Sequence, residues 1–245
     1  MTVLAAAAAV FLGAGLQSAT GFGFALVSAP ILFALLGPQE AVSAGALLGI
    51  ELSALTLATE RRIPNVLRGE ALALVAWSLP GLALGVLALR ELPDDVLSAL
   101  VAAGVIAALV LRLRVRTRKR TGGVASFRPL RTAAAGVSSG ALSTSTSLSG
   151  PPLVLLLLAR GVSPSQLRDT LAAVFVTLSA LTVAALAIAA TFAVPAGVGA
   201  LLAAGIAGQV LGRRGFALLG GDRHENAVLA VLAVTAVVAL ASSVL

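Results

Sequence analysis

The chain alternates between long apolar stretches and short polar connections. Ten apolar segments can be recognised, five on each side of a basic stretch near the middle of the sequence. A helix needs about 20 apolar residues to cross a bilayer, and three segments in each half reach or approach that length. The pattern predicts an all-α polytopic membrane protein. The approximate segments are 3–16, 22–36, 41–59, 69–89, 96–113, 130–142, 151–159, 167–192, 196–211 and 227–245.

The first two segments of each half are shorter and are separated by polar or flexible residues. Residues 17–23 read QSATGFG and residues 143–152 read STSTSLSGPP. Glycine permits non-helical backbone, proline removes a donor, and serine and threonine compete for backbone hydrogen bonds. Each short pair is therefore predicted to form a broken or re-entrant hairpin, with its break near the middle of the membrane.

Composition agrees with a membrane protein. Apolar residues make up 59% of the chain, charged residues 11%, and the mean hydropathy is +1.06. The absence of cysteine and the single histidine argue against thiolate, zinc and haem sites, so no cofactor is expected. The sequence pI near 11.7 is explained by basic loops that fix membrane orientation, and a nucleic-acid partner is not expected.

The basic residues predict how the chain crosses the membrane. If the connections after segments three, five, seven and nine are cytoplasmic, 16 of the 17 Lys and Arg residues lie inside and only Arg90 lies outside. Segment three then runs inward and segment eight runs outward. The two halves are thereby predicted to be inverted, in a bacterial-type inner membrane with both chain termini external.

Short sequence similarities support two related halves. Residues 52–56 read LSALT and recur at 178–182, and Pro38 matches Pro164 at the same offset. Further upstream, we match Gly13 with Gly136 and Pro30 with Pro152. The predicted organisation is a first repeat at 1–113, a basic cytoplasmic loop at 114–128 and a second repeat at 129–245. Inverted repeats with broken helices are typical of secondary transporters whose site lies between the repeats.

The two breaks are the predicted substrate site. A helix that follows a break begins with free N–H groups and the positive end of its dipole, which can bind an anion without a cationic side chain. The alternative for any one of these small residues is close helix packing. The candidate substrate-binding residues are Gln17, Ser18, Thr20, Gly21, Gly23, Ser145, Ser147, Ser149, Gly150 and Pro151.

Glu51 is a carboxyl group in the centre of segment three. An ionisable residue at membrane depth is costly and often serves a transport pathway, so Glu51 is the candidate for proton coupling. The alternative is a protonated acid that donates one interhelical hydrogen bond. Its counterpart in the second half is Thr177, so any coupling is expected to be asymmetric.

The glycine-containing break followed by Pro30, repeated after the basic loop as Gly150, Pro151 and Pro152, resembles the sulfite exporter TauE/SafE family, also called the TSUP transporters. The resemblance covers essentially the whole chain. It implies export of a small sulfur-containing anion such as sulfite, thiosulfate or sulfoacetate. The Ser/Thr series and the phenylalanines of this chain depart from the family's denser glycine runs, so the identity of the anion stays open.

Two other classes of function, a channel or transporter for another anion and an enzyme, differ in the residues they require. An anion channel, or a transporter of a different small carboxylate or inorganic anion, is the alternative function, and an intramembrane carboxyl with paired breaks favours the transporter. An enzyme is not expected, because the sequence has no Ser-His pairing, converging carboxylates or metal motif. The expected partners are the anion and the lipid bilayer, and the sequence leaves the oligomeric state open.

Overall fold

The protein is an assembly of α-helices. The computed structural model describes residues 1–59, 63–117 and 129–218, with side chains described except at 19–20, 109, 111–117 and 215–218. Within these ranges all regular elements are helical, as the sequence predicts, and segment 227–245 lies outside them. The helices are α1 (Thr2–Thr20), α2 (Phe24–Leu36), α3 (Pro38–Thr59), α4 (Arg68–Glu91), α5 (Asp94–Thr117), α6 (Pro129–Thr146), α7 (Gly150–Ala159), α8 (Pro164–Ile188) and α9 (Val198–Leu218).

Three of the described helices, α3, α4 and α8, are long and apolar enough to cross a membrane. Helix α2 has 13 residues and α7 has 10, so both are too short for a full crossing. Exposed leucines such as Leu72, Leu84 and Leu87 cover the outer face of α4, where an apolar surface of this kind requires lipid as its solvent. The chain is a membrane protein.

The breaks are shorter than the sequence predicts. Helix α1 continues through Thr20, and α6 continues through Thr146, so only residues 21–23 and 147–149 interrupt the helices. The α6 run stays helical because its last three hydroxyls, at 144–146, donate to carbonyls of the preceding turn. Ser145 donates to Ala141 at 2.8 Å and Thr146 donates to Leu142 at 2.9 Å. Helix α5 likewise extends to Thr117, into the predicted basic loop.

Helices α3 and α8 pack against each other in opposite directions and hold each other's following loops. The N–H of Asn65, after α3, donates to Asp169 near the start of α8 at 2.6 Å. The N–H of Ala193, after α8, donates to Ser43 near the start of α3 at 3.1 Å. At each end of the α3–α8 pair, a backbone N–H after one helix therefore donates to a side chain near the start of the other helix.

Several connections that the sequence assigns to one side of the membrane meet at one end of the molecule, here termed the basic end. Arg160, after α7, pairs with Glu70 at the start of α4 and donates to Thr132 at the start of α6. Arg213 on α9 donates to Thr59 at the end of α3. Arg90 lies at the opposite end, where it donates to the carbonyl of residue 189 after α8.

Two helix pairs, α4–α6 and α1–α9, approach each other closely through glycine. A methyl group built on Gly81 or Gly85 would collide with the backbone of α6, and one on Gly140 with the backbone of α4. A methyl group on Gly208 would collide with the backbone of α1. Small residues spaced by four are the usual means by which membrane helices pack without a hydrophobic driving force. These two pairs form the scaffold around the short helices.

The glycine contacts predict a clear difference between two glycine substitutions. Gly140→Ala should destabilise the protein by about 1–3 kcal/mol, because its methyl group meets the Ser78 carbonyl oxygen and the helices must separate. Gly69→Ala, in the first turn of α4 with open space around it, should be neutral or slightly stabilising. Thermal unfolding of both purified variants in one detergent measures the difference, and equal midpoints would contradict the close packing.

Candidate functional site

A cavity of about 60 Å³ lies between the two breaks and the middle of α3 and α8. The ends of α1 and α6 and the starts of α2 and α7 complete its wall. None of the described residues that line it is charged. They are Gln17, Phe22, Gly23, Phe24, Ala25, Leu26, Ala46, Gly49, Ser53, Ser143, Ser147, Leu148, Ser149, Gly150, Pro151, Phe175 and Ser179.

The structure brings most, but not all, of the predicted site residues to this cavity. Those that line it are Gln17, Gly23, Ser147, Ser149, Gly150 and Pro151. Ser18 and Ser145 do not, because their hydroxyls donate to carbonyls within their own helices, to Gly15 at 2.7 Å and to Ala141 at 2.8 Å. Thr20 is the last residue of α1, and its side chain lies outside the described residues.

Gly21 does not line the cavity either. Its φ of 80° caps the end of α1, and a side chain there would meet the stem of Arg168 on α8. The first break therefore lies beside the second turn of α8, toward the basic end. The second break lies beside Val42 in the second turn of α3, toward the opposite end. The breaks thus lie on either side of the middle of the bundle.

The left-handed positions of the two breaks are held by different residue types. Gly21 and Gly23 have positive φ, as glycine permits. In the second break the corresponding residue is Ser147, with φ of 60°, an uncommon conformation for serine. Gly150 is helical, and a methyl group on it would lie 3.6 Å from Phe175, an ordinary contact. The backbone conformation at position 150 therefore does not require glycine.

Most cavity residues form pairs separated by 126 positions in the sequence. Ser53 and Ser179, both within the repeated LSALT motif, are one such pair. The other pairs are Gln17 with Ser143, Phe22 with Leu148, Gly23 with Ser149, Phe24 with Gly150, Ala25 with Pro151 and Gly49 with Phe175. The same separation relates Gly21 to Ser147, the residue with positive φ that follows α1 and the one that follows α6. One sequence register thus relates the two walls of the cavity.

The sequence interpretation missed Ser53 and Ser179 as site residues. Ser53 is 1% exposed, and its hydroxyl has no hydrogen-bond partner among the described residues. Ser143 shares a 2.8 Å hydrogen bond with Thr182 of α8. Ser53 and Ser179 could have been identified from the sequence, because both lie in the LSALT motif that recurs in the two halves.

Donor groups are distributed unequally between the two walls. The first turn of α2, which begins at Phe24, has free backbone N–H groups at the cavity. The first turn of α7 contains Pro151 and Pro152, which have no N–H. On that side the hydroxyls of Ser147 and Ser149 are the additional donors. At the helix starts, the first half thus offers backbone donors and the second half offers mainly hydroxyls, whereas α3 and α8 contribute one hydroxyl each, from Ser53 and Ser179.

Glu51 does not reach the cavity. Gly49 and Ser53 line it, and Glu51 lies on the other face of α3, against Gly205 of α9. Its Oε2 atom is buried and has no hydrogen-bond partner in the described part of the chain. The carboxyl and the cavity are therefore separated by the width of one helix.

A protein-family model described as "Sulfite exporter TauE/SafE" matches residues 5–239, nearly the whole chain. The chain belongs to the sulfite exporter TauE/SafE family. TauE/SafE is a family of membrane transporters, in agreement with the helical fold and with the expectation that the protein is not an enzyme. No curated protein and no solved structure shows significant similarity to the chain.

In this TauE/SafE family member, replacement of the strained serine predicts a gain in stability. Ser147→Gly removes a left-handed strain of about 1–2 kcal/mol and increases the entropy of the unfolded chain by about 0.4–1 kcal/mol. A net stabilisation near 1 kcal/mol is expected. Ser145→Gly, two residues earlier within α6, should destabilise by a similar amount, because its site is helical and its hydroxyl is bonded. Thermal unfolding midpoints that fall for both variants would contradict the strain.

Proposed function

We propose that the protein is a secondary transporter that exports a small sulfur-containing anion, such as sulfite, thiosulfate or sulfoacetate, and that the anion is bound in the cavity between the two breaks. The family supplies the class of transporter and the class of substrate. The observation that carries the assignment of the site is the cavity itself, which is lined by related residues from both halves and contains the unpartnered hydroxyl of Ser53.

The neutral lining of the cavity suits a transported anion. A cation close to the anion would form a strong ion pair at low dielectric and slow its release. Backbone N–H groups at the start of α2 and neutral hydroxyls from α3, α8 and the second break bind more weakly and permit release. The phenylalanines Phe22, Phe24 and Phe175 leave only a small space, which limits the size of the ligand.

We further propose that the two halves are inverted repeats that move relative to each other. Three observations support this arrangement. The reciprocal hydrogen bonds of Asn65 and Ala193 relate α3 to α8 in opposite directions. The close glycine packing occurs in both α1–α9 and α4–α6, and a shift of 126 positions relates α1 to α6 and α4 to α9. The common register of 126 positions relates the two cavity walls. Such repeats provide alternating access by rocking of one unit against the other.

Removal of cavity hydroxyls should weaken anion binding. Ser53→Ala and Ser179→Ala each remove one neutral donor, so each should weaken binding by about 0.5–1.5 kcal/mol, roughly threefold to tenfold in Kd. Ser28→Ala is the matched control, because its buried hydroxyl donates to the Phe24 carbonyl at 2.9 Å and does not line the cavity. Isothermal titration of purified variants with sulfite measures the three Kd values. If both cavity variants bind sulfite as tightly as the parent, the cavity is not the anion site.

We propose that Glu51 couples transport to protons. Its support is a buried, unpartnered carboxyl oxygen at membrane depth within α3, whose other face lines the cavity. Glu51→Gln should abolish transport driven by a pH gradient and leave sulfite binding and gradient-free exchange largely intact, because glutamine keeps the shape without the titratable proton. Proteoliposome uptake with and without a pH gradient measures both. Unchanged pH-driven transport would favour the packing alternative.

The proposed orientation places the basic end in the cytoplasm. A topology reporter inserted near Thr121 should read as cytoplasmic, and reporters inserted near Pro93 or fused at Leu245 should read as external. The reason is the loop bias of basic residues, of which the sequence predicts only Arg90 outside, and the structure places Arg90 at the end opposite to the basic end. Activity of paired periplasmic and cytoplasmic reporters in intact cells measures the topology. A cytoplasmic C-terminus would contradict the inverted arrangement.

A further inference from the structure

A second polar feature runs along the seam between α3 and α9, on the face of α3 that carries Glu51. Gly205, Gln209 and Arg213 of α9 are spaced by four residues and form one stripe toward the basic end. Gly205 contacts the Glu51 carboxyl, Gln209 donates to Thr56 at 2.8 Å, and Arg213 donates to Thr59. Each step along this stripe advances one helical turn from Glu51 to the end of the helices.

Two acceptor atoms in this seam have no partner. Gln209 is 1% exposed and uses its amide N–H groups for the Leu52 carbonyl and the Thr56 hydroxyl. Its Oε1 atom has no hydrogen-bond partner among the residues that the structure describes, and neither has Oε2 of Glu51. A buried acceptor without a partner costs about 1–3 kcal/mol. Two of them on one seam indicate that a hydrogen donor occupies it.

An open cavity of about 260 Å³ adjoins Gln209 on the side of the basic end. It is lined by Leu55, Thr59, Gln209, Val210, Arg213 and Arg214. The space exceeds that needed for several waters, each of which takes about 30 Å³ of liquid volume, and the Gln209 amide and the Thr59 and Arg213 side chains are polar partners for them. A water in this cavity would supply the donor that the Gln209 oxygen lacks among the described residues.

We propose that the α3–α9 seam is a proton-access route from the basic end to Glu51, separate from the anion cavity. This proposal rests on the proposed role of Glu51 in coupling. Water fills the cavity beside Arg213 and reaches the Glu51 carboxyl by way of Gln209. The Glu51 carboxyl exchanges its proton with the aqueous phase at the basic end through this water, each water accepting one proton for each that it releases, so that no other reactant is consumed.

The charges around Glu51 are compatible with such a route. On the helices packed against α3, charged residues occur only at or near the helix ends, and α2 carries none. They are Glu40 on α3 itself, Asp94, Asp95, Arg112, Arg114 and Arg116 on α5, Arg131 on α6, Arg168 and Asp169 on α8, and Arg213 and Arg214 on α9. No described side chain forms an ion pair with Glu51. No neighbouring charge therefore holds the carboxyl in its ionised form.

The two polar regions occupy opposite faces of one helix. Gly49 and Ser53 face the anion, and Glu51 and Leu55 face the seam. Protons and anions thereby travel without mixing, and α3 is the element through which one binding event affects the other. A mutation that blocks the seam should therefore affect coupling without affecting the anion site.

The chain has no cysteine, so single cysteines can be introduced directly into the full-length protein. Leu55→Cys places a thiol in the seam cavity. Leu72→Cys is the matched control, because Leu72 lies four residues from the basic end of α4, as Leu55 does in α3, and is exposed on the outer surface. A charged thiosulfonate applied from the basic end of the protein in oriented vesicles should modify the Leu55 variant about tenfold faster or more, because a thiolate does not form in hydrocarbon.

A second variant tests the route by transport. Leu55→Trp fills the cavity and should reduce pH-driven transport in proteoliposomes by about tenfold or more, with sulfite affinity and gradient-free exchange unchanged. Leu72→Trp should behave as the parent. If the thiol of the Leu55→Cys variant reacts with a membrane-soluble maleimide but not with the charged thiosulfonate, lipid fills the cavity and the proposal is overturned.

The failure of the route and the failure of coupling are distinguishable. If Glu51→Gln abolishes pH-driven transport while the Leu55 thiol is protected from charged reagents and Leu55→Trp transports normally, the route is wrong and coupling stands. If Glu51→Gln transports normally with a pH gradient, Glu51 carries no proton and both proposals are wrong, whatever the reactivity of residue 55.

Discussion

Hydrocarbon offers no hydrogen-bond partner to a peptide group, and the arrangement of this protein follows from that constraint. Continuous helices satisfy their own backbone, so an interruption at membrane depth is stable only where protein or a wet cavity receives the freed groups. The two interruptions here, at 21–23 and 147–149, open onto one shared cavity. The free N–H groups that destabilise a broken helix in lipid are the same groups that an anion can bind.

Close glycine packing holds together the helix pairs that surround this arrangement. Helices α4 and α6 approach until the backbone of one touches a glycine of the other, and α1 and α9 do the same. The short helices α2 and α7 then occupy the space between these pairs and α3–α8. Polar groups within the bundle are mostly bonded to carbonyls of the preceding turn, as for Thr56 at 2.8 Å from Leu52. Ser53 differs because its hydroxyl faces the cavity without a partner.

Hydrophobic length and glycine, proline and serine content were sufficient to predict the helical class, the short hairpins and the approximate position of the breaks. The exact ends were not predictable from composition. The Ser/Thr run before 147 reads as a helix breaker, yet three of its four hydroxyls bond to carbonyls of their own helix, which extends to Thr146. The upstream match of Gly13 with Gly136 also differs from the cavity register, which relates Gly13 to Ser139.

The side-chain directions within the helices were equally hidden from the sequence. Ser18 and Gly21 are close in sequence to the cavity, but one bonds to its own helix and the other packs on Arg168. Glu51 is two residues from Gly49 and from Ser53, yet the helical rotation places it on the other face. Ser53 and Ser179 were recognised as a repeat, and only the fold gives them a common location. Periodicity therefore predicts elements well and predicts a site only when the packing of the helices is known.

The central claim is that an uncharged cavity between two related breaks binds the anion. The most direct measurement is a crystal structure of the protein soaked in selenite, a sulfite analogue whose selenium scatters anomalously. The account predicts an anomalous peak between the start of α2 and the Ser53 and Ser179 hydroxyls, lost in the Ser53→Ala, Ser179→Ala double variant. A peak bound instead by arginine side chains such as Arg168 or Arg213, with the cavity empty, would contradict it.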